Sequence, residues 1–166
     1  MALHAYKEDK NMLSLQFDDQ SNMLREEMKQ INEALTGVRT KREEIFARKT
    51  ELSKVRTDDP KILPASELLQ SSLLQELRRS YEDAVRERDA LKGGGKGDNH
   101  PEVLAAEARV QATKGALLSE VKNIQGALGG DLSVIERQQS GLSGLFERAK
   151  KEALDLNLLE IEYNRL

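Results

Sequence analysis

The chain has 166 residues, of which 33% are charged, 38% hydrophobic and 4% aromatic, and it contains neither tryptophan nor cysteine. The lack of cysteine excludes a disulfide framework, a thiolate nucleophile and a cysteine-based metal site. The formal net charge is −3, with acids and bases mixed along the chain, so the sequence carries no basic footprint for nucleic acid and no polybasic membrane patch.

The first 59 residues contain no proline, and apolar side chains recur in them every seven residues. This periodicity predicts one helix over about residues 2–56. A strong seam (a line of residues seven apart) with a weaker companion favours contact with a single partner helix. The main seam is Leu3, Lys10, Phe17, Leu24, Ile31, Val38, Ile45 and Leu52, and the companion seam is Tyr6, Leu13, Gln20, Glu27, Ala34, Lys41 and Arg48.

A first break is predicted at residues 57–64, because Pro60 and Pro64 cannot lie inside a helix without loss of backbone hydrogen bonds. A second helix is predicted over about residues 65–92, with Pro64 close to its first turn. Its helically spaced residues are Leu74, Leu77, Tyr81, Ala84, Arg88 and Leu91.

A second break, at residues 93–100, carries the strongest turn signal in the sequence. Asn99 followed by Glu102 resembles a capping box for the next helix. The glycine-rich stretch does not fit a phosphate-binding loop, because no strand precedes it and no serine or threonine follows Lys96. The predicted hairpin tip consists of Gly93, Gly94, Gly95, Asn99, His100 and Pro101.

The last helix is predicted over about residues 101–164, with a kink near residues 129–130. The spacing from Ile124 to Ile135 is one heptad plus four residues, which is a stutter, and it falls on Gly129 and Gly130. The seam before the glycine pair is Val103, Val110, Leu117 and Ile124, and it resumes as Leu128, Ile135, Leu142, Ala149, Leu156 and Tyr163.

These elements predict an all-α chain that forms one domain over residues 1–166, a long antiparallel coiled-coil helical hairpin. A three-helix antiparallel bundle with a sharp fold at residues 58–64 is the alternative. Folding the chain at about residue 96 places Pro60 opposite Gly129–Gly130. The predicted core residues are Phe17, Leu24, Ile31, Val38, Ile45, Leu52, Leu77, Val110, Leu117, Ile124, Ile135, Leu142 and Leu156.

The candidate chemical groups are better interpreted as structural. His4 and His100 are far apart in sequence, and Asp58 and Asp59 lie in a turn, so we expect surface or capping roles. We therefore predict no catalytic residue, no metal ligand, no cofactor and no enzymatic activity. Leucine is denser than one seam requires at residues 68–74, which fits either a wider core stripe or an additional contact with a neighbouring subunit.

Several segments resemble a known family, the polysaccharide co-polymerases. These are the chain-length determinant proteins of bacterial capsule, exopolysaccharide and O-antigen export, including forms fused to a tyrosine autokinase. The run Leu63–Arg78 is similar to a family segment, with Ser71-Ser72 in place of asparagine-proline. A second family element ends in histidine-proline, as at His100-Pro101, although a glycine-rich stretch replaces the tyrosine-glycine before it. Residues 6–11 and 158–166 also resemble family elements.

This resemblance implies a periplasmic helical segment of an inner-membrane protein that regulates polysaccharide chain length or export. It implies self-association into a homo-oligomer and contact with polysaccharide or with polymerase and export components, without nucleic acid. The membrane spans and any cytoplasmic kinase domain are expected outside these residues, so the segment itself is expected to be soluble and not membrane-inserted. The alternatives are the α-hairpin of a periplasmic membrane-fusion adaptor and a cytosolic coiled-coil spacer.

Overall fold

The computed structural model describes residues 2–165. It is 88% helical and contains no strand among those residues, so the all-α prediction is confirmed. The helices are α1 (Ala2–Ser53), α2 (Ala65–Gln70), α3 (Ser72–Gly93) and α4 (Pro101–Arg165). The long helices α1 and α4 pack together. Within the described residues, no helix is both long and apolar enough to cross a membrane.

The predicted helix over residues 65–92 is wrong, because the chain forms two helices there. Ser71 separates α2 from α3 with an extended backbone (φ −130°, ψ 106°). Its Oγ accepts a hydrogen bond from the backbone N–H of Leu74 at 3.1 Å. Ser71 therefore caps α3, since a serine oxygen in this position satisfies one of the free N–H groups at a helix start.

The remaining helix ends lie close to the predicted ones. The first helix ends at Ser53 rather than Arg56. The N–H groups of Lys54 and Val55 donate to carbonyls three residues back, at 3.2 and 3.3 Å, which tightens the last turn. The pair Gly129–Gly130 does not end α4, which is one helix from Pro101 to Arg165.

The chain divides into two compact units. Unit 1 comprises the residues up to Glu43 and those from Ser133 onward, and unit 2 comprises Glu44–Leu132. Both units draw on the long helices, since α1 and α4 each contribute residues to unit 1 and to unit 2.

In unit 1, α1 and α4 run antiparallel. The rings of Phe17 and Tyr163 have centroids 5.9 Å apart, and Arg42 Nε lies 4.0 Å from Glu136 Oε1. The partner's number on α4 falls as the number on α1 rises, which defines the antiparallel direction. The apolar cluster between these contacts consists of Ile31, Leu35 and Ala149, with Met28, Leu142 and Phe146 packed against it.

The companion seam predicted for α1 is wrong in unit 1. Gln20, Glu27, Ala34 and Lys41 are exposed. The inward positions instead lie four residues after each main-seam residue, because α4 packs on that side of the helix. Residues three and four positions after a main-seam residue both lie on its face of the helix, so the sequence of α1 alone does not choose between them. The inward companions are Ser21, Met28, Leu35 and Arg42, whereas Leu3, Tyr6 and Leu13 are exposed.

In unit 2, the helix α3 packs antiparallel to α4. Arg88 Nη1 lies 3.0 Å from Glu107 Oε2, and Arg109 Nη2 lies 2.5 Å from Glu87 Oε1. The end of α1 joins this unit next to α2 and α4, as the contacts below show. The most deeply buried leucines are Leu52, Leu74 and Leu117, each no more than 1% exposed.

The predicted opposition of Pro60 and the glycine pair is wrong. The neighbouring Asp59 and Lys61 line a groove with Gln111 and Lys114 of α4. A methyl group at Gly129 would instead lie 3.7 Å from Lys49 Nζ, one turn before the end of α1. Pro60 would lie opposite the glycine pair if every residue rose by about 1.5 Å. Residues 54–64 are not helical, so the chain does not advance at that rate there.

Candidate functional site

The predicted core residues all lie inside helix contacts, to different degrees. All thirteen are buried or half-buried. Leu35, Met28 and Phe146 also pack in the core but were not predicted, because their four-residue spacing from the main seam becomes informative only when the side of the partner helix is known. The buried ones are Ile31, Ile45, Leu52, Val110, Leu117 and Ile135; the half-buried ones are Phe17, Leu24, Val38, Leu77, Ile124, Leu142 and Leu156.

An ion pair in unit 2 connects the end of α1 to α2. Arg48 Nε and Nη2 donate to Glu67 Oε1 and Oε2 at 2.7 and 3.0 Å. The Glu67 side chain is 3% exposed and that of Arg48 is 35% exposed. The hydrogen bond to Glu67 raises the pKa of Arg48 above its ordinary value, although burial acts the other way. This fork-to-fork geometry fixes orientation as well as distance.

A second polar contact holds the connection between α1 and α2 against α3. The Tyr81 hydroxyl donates to Asp59 Oδ1 at 3.0 Å, and Tyr81 is 4% exposed. Burial, followed by the hydrogen bond to Asp59, raises the pKa of Tyr81 to about 12. Burial alone would raise the pKa of Asp59, but the bond from Tyr81 and the charge of Lys61 hold it below its ordinary value.

The tip is built from two helix caps. Gly95 has φ +89°, a left-handed conformation that glycine adopts without steric cost. The N–H of Gly95 donates to the carbonyl of Lys92 at 3.1 Å, and that of Lys96 to Leu91 at 3.3 Å. These two bonds form the Schellman motif that closes α3.

The predicted capping box of Asn99 and Glu102 is wrong. The Glu102 N–H donates to His100 Nδ1 at 3.1 Å, so His100 caps α4. The Glu102 carboxylate pairs with Lys96 instead. Pro101 is the first residue of α4, where its missing N–H costs little. The capping role considered for His100 is therefore present at the tip.

A shallow groove along α2 and α3 is lined by apolar side chains and by charged side chains of both signs, with Glu82 and Asp83 among the acids. Leu69 is 83% exposed and Leu73 is 49% exposed, whereas Leu74 is fully buried. Leu68 and Leu69 line the groove with arginines of α3. The leucine density at residues 68–74 therefore serves two sides: Leu74 belongs to the core, and Leu68 and Leu69 line the groove. The arginines are Arg78, Arg79 and Arg86.

The polar groups of the described residues are arranged for structure. Among residues 2–165, no group of three or more His, Asp or Glu side chains is placed to hold a metal ion. His4 Nε2 lies 3.3 Å from Glu8 Oε1, and both side chains are exposed on one face of α1. Asp58 pairs with Arg56 in the exposed turn. The arrangement can therefore support helix contacts and surface recognition.

Comparison with known proteins yields no relatives. No family model matches the chain, and neither a curated protein nor a solved structure is similar to it.

Proposed function

We propose that this chain is a non-catalytic helical assembly segment of a polysaccharide co-polymerase, which regulates the chain length or export of exopolysaccharide, capsule or O-antigen. The proposal rests on the resemblance of the motif segments and on where those segments lie in the fold. The two family elements with the most distinctive residue pairs coincide with the starts of α3 and α4.

The observation that carries the proposal is the local role of these residue pairs. Where the family has asparagine-proline, Ser71 caps α3 and Ser72 is its first residue. Serine and asparagine are comparably good caps, so the substitution keeps the physical role. Where the family has histidine-proline, His100 caps α4 and Pro101 is its first residue. A proline in the first helical position suits both places.

In this proposal the segment is periplasmic and belongs to an inner-membrane protein. It self-associates with other copies and contacts polysaccharide or the polymerase and export components. Leu68 and the exposed Leu69 beside the arginines of α3 offer a surface for such contacts, because apolar patches with a polar rim are typical of interaction sites. A tyrosine kinase domain in the same protein would be cytoplasmic.

We also infer that the helices form an antiparallel coiled-coil hairpin. α1 followed by α3 forms one arm of the hairpin, and α4 forms the other arm. The antiparallel contacts inside each unit support this arrangement. Because Arg48 pairs with Glu67, α2 lies beside the end of α1, a contact that a hairpin of only two helical arms would not contain.

Deletion of residues 64–130 from the full-length protein tests the functional proposal. We expect shorter, longer or less abundant polysaccharide on a gel of the surface polymer, with the protein still present in the membrane. The matched control is Gly97→Ala, since a methyl group at Gly97 meets nothing within 4 Å. An unchanged polymer profile in the deletion would contradict the proposal. Flanking lipoyl-type β domains would instead favour the membrane-fusion adaptor.

A further inference from the structure

The start of α4 depends on an imidazole for one of its hydrogen bonds. The N–H of Leu104 donates to the carbonyl of His100 at 2.9 Å, which begins the helical ladder. The N–H groups of Glu102 and Val103 therefore lie ahead of the ladder, and Pro101 has no N–H to donate. The Glu102 N–H donates to His100 Nδ1 at 3.1 Å, so the side chain supplies an acceptor that the backbone does not.

Backbone contacts on both sides hold His100 at the start of this turn. Its own N–H donates to the carbonyl of Gly97 at 2.9 Å, and the residue is half-buried. Because Nδ1 accepts the bond from Glu102, the proton of the neutral ring lies on Nε2. A protonated imidazole carries a hydrogen on both nitrogens and accepts no hydrogen bond. The cap therefore exists only while His100 is uncharged.

The charged side chains around His100 are arranged in pairs. Lys92 Nζ of α3 lies 3.4 Å from Asp98 Oδ1 in the turn, and Lys96 pairs with Glu102 of α4. Each pair has one positive and one negative member, so neither sign of charge predominates around the ring. The N-terminus of α4 itself carries a partial positive charge. A positive imidazole at this end weakens the start of the helix, which is the same direction as the loss of the cap.

We propose that His100 is a pH-sensitive switch at the tip: the neutral imidazole caps α4, and protonation releases the first turn of that helix. Histidine ordinarily changes its charge between about pH 5 and pH 8. The cap is therefore present at the upper end of this range and is lost as the pH falls through it. The tip is closed in a neutral medium and loosened in an acidic one, and this follows from the fold whether or not the chain belongs to an export protein.

Nuclear magnetic resonance of the whole chain between about pH 8 and pH 5 tests the switch. In the neutral form, the ring nitrogens of His100 should report a proton on Nε2. As the ring titrates, the Cα chemical shifts of residues 101–104 should move away from helical values in step. Loss of the cap should raise the population of the opened first turn by about fivefold. Glu102 stays charged over this range, since the hydrogen bond from Lys96 holds the pKa of that carboxyl below its ordinary value.

Three variants separate the cap from other titrations. Asparagine is a good cap and accepts a hydrogen bond at every pH, so His100→Asn should keep the first turn closed throughout. His100→Ala should leave it loosened throughout, and His4→Gln, which removes the other histidine of the chain, should respond as the wild type does. The proposal is overturned by a neutral ring with its proton on Nδ1, by helical shifts that ignore the titration, by a pH response that survives in His100→Asn or disappears in His4→Gln, or by equal order in His100→Ala and His100→Asn.

Discussion

At the scale of single residues, Glu67 is the charged side chain that the fold buries among the described residues. Removal of its carboxylate leaves Arg48 without its bidentate partner. We expect Glu67→Ala to lower the free energy of unfolding by about 1–3 kcal/mol, less than for a fully buried pair because Arg48 is partly exposed. Urea unfolding measures the change. Glu51→Ala, which breaks the exposed pair with Lys54, should cost less than about 0.5 kcal/mol. Equal costs for the two variants would show that burial of Glu67 contributes nothing.

A second residue-scale prediction concerns alkaline pH. The pKa of Tyr81 is about 12 in the fold, against about 10 for an unfolded tyrosine. A raised pKa means that the neutral phenol is favoured, so its contribution is complete below pH 10 and is lost as the pH rises from 10 to 12. Unfolding measured across this range should show the loss in the wild type.

Tyr81→Phe should flatten that part of the pH profile and cost about 1 kcal/mol at neutral pH through the lost hydrogen bond to Asp59. Tyr6→Phe is the control, because Tyr6 is 52% exposed. If the Tyr81→Phe profile falls as steeply as that of the wild type, the buried hydroxyl is not the cause.

The polar contacts are also where the sequence was least informative. Heptad spacing indicated that Ile31, Leu52 and Leu117 face a partner helix, because burial follows helical periodicity. It gave no sign that Arg48 reaches Glu67, since a non-helical connection separates them. The cap at Ser71 could have been found from the general preference for serine at helix starts.

At the scale of helices, the centre of unit 2 depends on complete burial of Leu74 in α3. Leu74→Ala should lower the free energy of unfolding by about 2–5 kcal/mol, because it removes buried methyl groups and leaves a cavity. Leu69→Ala is the matched control in α2: the side chain is 83% exposed, and we expect a change within about 0.5 kcal/mol. Thermal or urea unfolding measures both changes. A larger loss of stability in Leu69→Ala than in Leu74→Ala would contradict the assignment of Leu74 to the core.

The glycines of α4 give a prediction of opposite sign. A methyl group at Gly141 or Gly144 meets nothing within 4 Å. Each change to alanine should therefore stabilise the helix by about 0.5–1 kcal/mol. Gly95→Ala should instead destabilise by about 1 kcal/mol, because φ is +89° there. Melting temperatures that fall for Gly141→Ala would indicate a close neighbour on that face.

At this scale the sequence predicted helix type and approximate ends, but not all interruptions. Proline and glycine marked the two long breaks correctly, since both residues act locally on the backbone. The interruption at Ser71 comes from a serine with an extended backbone, and neither proline nor glycine marks it in the sequence. The predicted opposition of Pro60 and Gly129–Gly130 was also wrong, because the non-helical connection between Ser53 and Ala65 does not advance at the helical rise.

At the scale of the whole molecule, the long helices α1 and α4 pack together with limited burial of their side chains. The predicted direction of pairing agrees with the contacts inside each unit. The choice between hairpin and three-helix bundle could not be made from the sequence, because seam strength is a weak guide to the number of partners. Helix seams specify a face, and the number of helices on that face depends on the connections.

The distance between spin labels at Lys29→Cys and Ala90→Cys tests the hairpin most directly. Both positions are exposed, and the chain contains no other cysteine. In the hairpin, α3 continues onward from the end of α1, so the helical rise predicts a separation of more than about 45 Å. In the bundle, α3 folds back along α1, and adjacent antiparallel helices would bring the labels within about 20 Å. Pulsed electron resonance should therefore give the long distance, and a dominant short distance would contradict the hairpin.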